Sequence, residues 1–159
     1  MIERSLVLIK PDGVKRSLTG EIINRFEKAG LKIAGMKMIW VNPELSKQHY
    51  SEHVNKEFYK FLETFITEGP VVAIVFEGVD AVENVRRLTG ETEPKTSPPG
   101  TIRGDYAHIS SEYANKTKRA VQNIIHASGT KEEAKKEVAL WFSPEQLFEY
   151  QTAHEKYVF

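Results

Sequence analysis

Three short segments hold residue types suited to phosphate chemistry. The first is Asn123-Ile124-Ile125-His126-Ala127-Ser128-Gly129, where a histidine closes an apolar run and small residues follow it. Small neighbours let a ligand approach the imidazole, and a neutral imidazole is a good nucleophile toward phosphorus near neutral pH. Glu137 falls on the helix expected next, where a carboxylate can orient the ring. The same residues also suit a packed histidine at a strand end. The second segment, Gly100-Thr101-Ile102-Arg103-Gly104-Asp105, sets an arginine in a long loop, ready to fork onto phosphate. Arg86 and Thr92 lie close enough in sequence to join it, although a solvated arginine would look the same. The third, Lys10-Pro11-Asp12-Gly13-Val14, puts a lysine at a strand end, where it can aim a point charge at phosphate. An ordinary strand-to-loop junction, with Asp12 as a turn residue, would read alike. His49 and His53 are spaced to share a helix face, but a metal site needs a third ligand and none is evident. His108 and His154 read as solvent or contact residues.

The elements that must position these residues follow from patterning. Ser5 to Ile9 is a short apolar run and reads as a buried strand, stopped by the turn chemistry of Lys10-Pro11-Asp12-Gly13. Thr19 is an N-cap candidate for a helix from Gly20 to Ala29, with Ile22, Ile23 and Phe26 on one face and Gly30 as its left-handed cap. Leu31 to Val41 alternates like one long strand. Helices are expected over 43–52 and 57–67, ended by Gly69-Pro70. Val71 to Phe76 is apolar throughout and so a central strand. Ala81 to Leu88 reads as a helix. Residues 89–117 show no period, and loops of that length are usually functional or disordered. A short strand at Asn123–His126, a charged helix over 131–139, an apolar Leu140-Trp141-Phe142 and a turn at Ser143-Pro144-Glu145 precede an extended tail. This order matches an α+β fold, a ferredoxin-like αβ sandwich with a four-stranded antiparallel sheet, an inserted helical pair and helices on one face.

Composition narrows the function classes. The chain has 159 residues, Lys plus Arg equals Asp plus Glu at 22 each, and the formal net charge is zero. A global basic field for nucleic acid is therefore absent, so an anion must be met by a local cluster of donors. There is no cysteine, which excludes disulfides, thiolate zinc sites and cysteine nucleophiles. No signal peptide and no span of membrane length are read, so a cytoplasmic location is expected. The glycine-rich loops of common nucleotide-binding folds are missing, and so are the protein-kinase signatures.

Taken in order, Lys10-Pro11-Asp12-Gly13-Val14, His49-Tyr50, Gly90-Glu91-Thr92, Gly100-Thr101-Ile102-Arg103-Gly104-Asp105 and Asn123-Ile124-Ile125-His126-Ala127-Ser128 resemble the nucleoside diphosphate kinase family. Glu137 and Leu140-Trp141-Phe142 fit as well. The resemblance covers nearly the whole chain, 1–159, read as one domain. It implies a ping-pong transfer of the γ-phosphate of a nucleoside triphosphate to a nucleoside diphosphate, with broad base specificity. On it, His126 is the nucleophile, with Ser128 and Glu137 supporting the imidazole and Tyr50 beside Lys10. Lys10, Arg86, Thr92 and Arg103 hold phosphates, Asn123 contacts the sugar hydroxyl and phosphate end, and Phe58 stacks on the base. Mg²⁺ is expected to be held through the nucleotide phosphates rather than by a protein cage. A homo-oligomer, hexamer or tetramer, is implied too. Three positions depart from the family pattern. Ala127 stands where glycine is commonest, and Gly129 where aspartate is usual. The interval from Gly104 to Gln122 is about twice the usual length, an apparent insertion within 104–122. Two other readings compete. A base-stacking nucleic-acid module would need an aromatic and glycine run on a strand, which is missing. A catalytically dead relative would need a vacant motif position, and all are filled.

Overall fold

The computed structural model describes residues 1–159. Four strands, β1 (Ile2–Ile9), β2 (Lys32–Trp40), β3 (Pro70–Val79) and β4 (Ile125–Ala127), form one sheet in the order β2-β3-β1-β4. Every neighbouring pair is antiparallel. Around it run α1 (Pro11–Lys15), α2 (Thr19–Lys28), α3 (Pro43–His49), α4 (Tyr59–Thr67), α5 (Ala81–Thr89), α6 (Ile102–Tyr106), α7 (Ser111–Lys116), α8 (Lys131–Trp141) and α9 (Glu155–Val158). The α+β sandwich expected from the pattern is present, with α3 and α4 as the helical pair.

Its helices lie on both faces of the sheet, not on one. Val7, Ile9, Val72, Ile74 and Phe76 point to one side and pack with Ile22 and Phe26 of α2 and Val85 of α5. Leu6, Leu8, Val71, Ala73 and Val75 point to the other and pack with Tyr59 and Ile66 of α4 and Trp141 of α8. The continuous apolar character of β1 and β3 has this cause, since a strand covered on both faces has no polar side to present.

Two local expectations also change. Thr19 is the first residue of α2 and makes no cap; Leu18 flanks the helix instead. Gly30 does take the left-handed conformation, with φ +89, and Leu31 N–H reaches back to the Phe26 carbonyl. In β2 the alternation breaks between Ile33 and Gly35, where a bulge at Ala34 leaves Ile33 opposite Phe76 and Gly35 opposite Val75. The extra residue puts Ile33 and Met36 on the same face. Residues 89–117, patternless in sequence, fold as a 3₁₀ turn at Pro94–Thr96 and the short helices α6 and α7.

The chain's end is not a free extended tail. Phe148 N–H bonds the Ala34 carbonyl, and Tyr150 Oη–H bonds that of Ile33. Lys32, buried, pairs with Glu77 and Glu155 at 2.9 Å each and clasps α9. No helix is long and apolar enough to cross a membrane.

Candidate active site

The site forms where β4 lies against the end of β1. His126 sits opposite Leu8 in the ladder. Two residues earlier, Ile124 has φ +71, a left-handed conformation that a β-branched residue adopts only when held there. The hold comes from the Lys10–Gly13 segment. Asp12 Oδ2 accepts from Ile124 N–H at 3.0 Å, and Lys10 N–H donates to the Ile124 carbonyl at 2.8 Å. Asp12 is thus more than a turn residue, since it fixes the backbone that presents His126. Its carboxyl is held above the ordinary range by burial, against the pull of Lys10 and of backbone N–H groups.

Behind the imidazole stands a relay of supports. His126 Nε2 lies 2.9 Å from Glu137 Oε1 on α8. Ser128 Oγ–H donates to Glu137 Oε2 at 2.5 Å, and Leu6 N–H donates to Ser128 Oγ at 3.2 Å. A carboxylate only accepts, so Nε2 carries the proton and Nδ1 keeps a free lone pair. Glu137 lines a neighbouring cleft and not the main cavity, whereas His126 lines both.

That main cavity, of about 520 Å³, is lined by Lys10, Tyr50, Phe58, Arg86, Thr92, Arg103, Asn123 and His126. These residues come from five separate stretches of chain. Buried Lys10 donates to Asn123 Oδ1 at 2.7 Å, and Asn123 Nδ2 donates to the Thr92 carbonyl at 2.8 Å. Burial, and then Arg103 nearby, lower the Lys10 ammonium to about 7, with Asp12 opposing. Arg103 is buried and is a brace as well as a charge. Its guanidinium donates to the carbonyls of Asn123 at 3.3 Å, Gly90 at 3.1 Å and Ile125 at 2.7 Å. Burial and Arg86 lower it to about 10. The Tyr50 hydroxyl is buried without a protein partner, and burial, with Glu137 and Tyr59, raises its phenol well above the usual range. Phe58, just before α4, leaves 44% of its surface exposed at the cavity wall.

His49 belongs to the site through contacts that its sequence neighbours do not reveal. Its ring meets that of His126 edge to face at 4.6 Å, and Trp141 Nε1–H donates to its Nδ1 at 3.2 Å. Burial, then His126, Lys10 and His53, push its pKa well below the ordinary value, so it stays neutral. The suggested pairing with His53 does not form a metal site; His53 turns to Phe58, 5.5 Å between rings. His49, His126 and Glu137 do bring their ligand atoms within 4.8 Å of one another. That cluster is closed by hydrogen bonds, since the Nδ1 lone pair of His49 is taken by Trp141 and Nε2 of His126 by Glu137.

A family model described as nucleoside diphosphate kinase matches residues 3–147. The nucleoside diphosphate kinase of Pyrococcus horikoshii is 55% identical over 151 residues, covering 95% of this chain and 92% of its own. That of Thermus thermophilus is 49% identical over 146 residues, covering 92% and 99%. Among solved structures, the chain resembles a transition state mimic of nucleoside-diphosphate kinase from Borrelia burgdorferi with bound vanadate and ADP. The TM-score is 0.95 at 39% identity, over 99% of this chain and 96% of that one. It also resembles a halophilic nucleoside diphosphate kinase from Halobacterium salinarum in complex with CDP, with a TM-score of 0.90 at 40% identity, over 100% and 99%.

Proposed function

Because the chain belongs to the nucleoside diphosphate kinase family and has its phosphotransferase activity, we propose that the transfer runs through Nδ1 of His126. Nδ1 attacks the γ-phosphorus of a nucleoside triphosphate, the bond to the β-phosphate oxygen breaks, and the diphosphate leaves. A second nucleoside diphosphate enters the same cavity, and its β-phosphate oxygen takes the phosphoryl group back off nitrogen. The Nε2 proton stays in place throughout, and Glu137 offsets the positive charge that the ring gains on phosphorylation. The observation that carries this assignment is the Nε2–Glu137 bond, which leaves Nδ1 as the free nitrogen of a histidine that lines the cavity.

Lys10, Arg86 and Arg103 meet the spreading negative charge of the transferred group, and the unpartnered Tyr50 hydroxyl donates to it. Thr92 and Asn123 complete the phosphate and sugar end, with Asn123 keeping one amide hydrogen free. Phe58 supplies a stacking face that tolerates any base, which supports broad specificity. The ADP and CDP bound in the Borrelia and Halobacterium relatives support a nucleotide occupant here.

Mg²⁺ fits as an ion carried in on the phosphates. The cavity lining is cationic and neutral apart from one carboxylate, Glu133, whose Oε2 already accepts from Gly129 N–H, and this suits an ion that keeps waters and phosphate oxygens as ligands. When bound, it would supply positive charge against the phosphates. We also read residues 1–159 as one domain with an insertion within 104–122, acting as a homo-oligomer, hexamer or tetramer. The chain's lack of cysteine fits a reducing compartment, the cytoplasm.

The test is direct. Incubation with a triphosphate and Mg²⁺ leaves an acid-labile, alkali-stable phosphate on His126, read by mass spectrometry at high pH. A His126→Ala chain that exchanges phosphate at the full rate overturns the assignment.

A further inference from the structure

The segment between Gly104 and Gln122 reaches into the nucleotide cavity, and on the nucleotide reading given above it faces the base rather than the phosphates. Ser111 and Asn115 of α7, then Arg119, line the same cavity as Lys10 and His126. Arg119 also shares a smaller neighbouring pocket with Phe61, Thr64 and Phe65 of α4, which none of the phosphate-end cations lines. Phe61, three residues on from Phe58, lines both spaces with Arg119 and sets it beside the aromatic wall. The segment is built rather than loose. Ser110 Oγ caps α7 by accepting from Tyr113 N–H at 3.2 Å, and Glu93 Oε1 accepts from Ser111 N–H at 2.7 Å. Arg119 N–H closes the segment onto the Ala114 carbonyl at 3.0 Å.

The Arg119 side chain is held in one orientation. Its Nε donates to Thr117 Oγ1 at 3.1 Å, and its guanidinium lies 5.2 Å from the centre of the Tyr113 ring. Both terminal nitrogens are without a protein partner, so a side chain that lines the cavity keeps a fork of two N–H groups free for a ligand. Guanine answers such a fork with two adjacent acceptors, O6 and N7, whereas adenine sets a donor beside N7 and cytosine offers a donor at N4. Asn115, with an amide that both donates and accepts, fits every base edge and discriminates little. We propose that Arg119 reads the base edge and biases this broadly tolerant kinase toward guanine nucleotides.

The experiment uses the full chain, first phosphorylated with phosphoramidate, a donor with no base. Decay of the phosphoenzyme is then followed with GDP, ADP and CDP in single-turnover mixing. In the wild-type chain GDP is the best acceptor. In Arg119→Ala the ratio of the second-order rate constant for GDP to that for ADP falls about five-fold, the weak end of a two-bond base contact. Arg119→Lys, which cannot form the fork, loses the preference in the same way. Equal losses for all three diphosphates would make Arg119 a charge contact to phosphate and overturn the proposal, as would an unaltered ratio. Failure of phosphoramidate to modify His126 in the wild-type chain counts against the nucleophile assignment instead, so the two failures are told apart.

Discussion

Lys10 is a cation held where water hydrates it poorly. Burial and Arg103 bring its pKa down to about 7 in the free cavity. On the proposed phosphate role, a bound phosphate restores the charge, so binding takes up a proton wherever the free lysine is neutral. Above pH 7 the free chain has lost that proton and the complex keeps it, and affinity falls as pH rises through that value. Calorimetry at pH 8, in two buffers of different ionisation enthalpy, reports proton uptake on diphosphate binding, and Lys10→Met abolishes it. Glu137 makes a different prediction. Glu137→Gln keeps the size but removes the acceptor charge behind Nε2, and kcat falls at least about ten-fold with KM little changed, by analogy with losing the orienting carboxylate of other histidine sites. Steady-state kinetics against both substrates checks this. The residue types of the site were readable in the sequence, because lysine, arginine and histidine at strand and loop ends have few structural uses. His49 fell within the family pattern but its contacts were not readable, because its partner Trp141 stands 92 residues away and nothing local announces the bond.

At the scale of elements, β1 and β3 were legible because continuous apolar runs have one common use, the middle of a sheet. The bulge at Ala34 was not, since a period of two looks the same with one residue out of phase. The cover on both faces was underestimated for a related reason. Helix patterns reveal an apolar stripe, not the side of the sheet it reaches. The segment after α5 had no period because its pieces are shorter than two helical turns and are fixed by caps, such as Thr101 Oγ1 accepting from Gly104 N–H at 3.1 Å. Gly104 has no room for a side chain, since a Cβ there would collide with the Pro98 carbonyl. Gly104→Ala should therefore shift α6 and its buried Arg103. We expect a stability loss of about 1–3 kcal/mol, the usual cost of overpacking, together with a higher KM for nucleotides. Thermal melting and steady-state kinetics read the two effects separately.

At the scale of the whole molecule, the sheet is left open at one end. The outer side of β2 has no strand beside it, and Met36, Met38 and Trp40 are 54%, 61% and 66% exposed on one face. Beyond the C-terminal contacts at Ile33 and Ala34, this edge with its apolar stripe invites a second strand, and we propose a second copy of this chain as its source. Trp40→Glu should move the sizing profile toward smaller species while far-UV circular dichroism stays the same. The zero net charge sets no long-range self-repulsion against that proposed contact. The cavity itself is single: His126, the phosphate donors and the base wall all line one space. On the proposed assignment, donor and acceptor therefore take turns, and between visits the phosphoryl group waits on His126 in a cleft that solvent can enter. The length of that wait is set by the supply of diphosphate, not by the protein. On the proposed His126 assignment, scarce diphosphate gives water time to compete, and slow hydrolysis of triphosphates is the expected outcome.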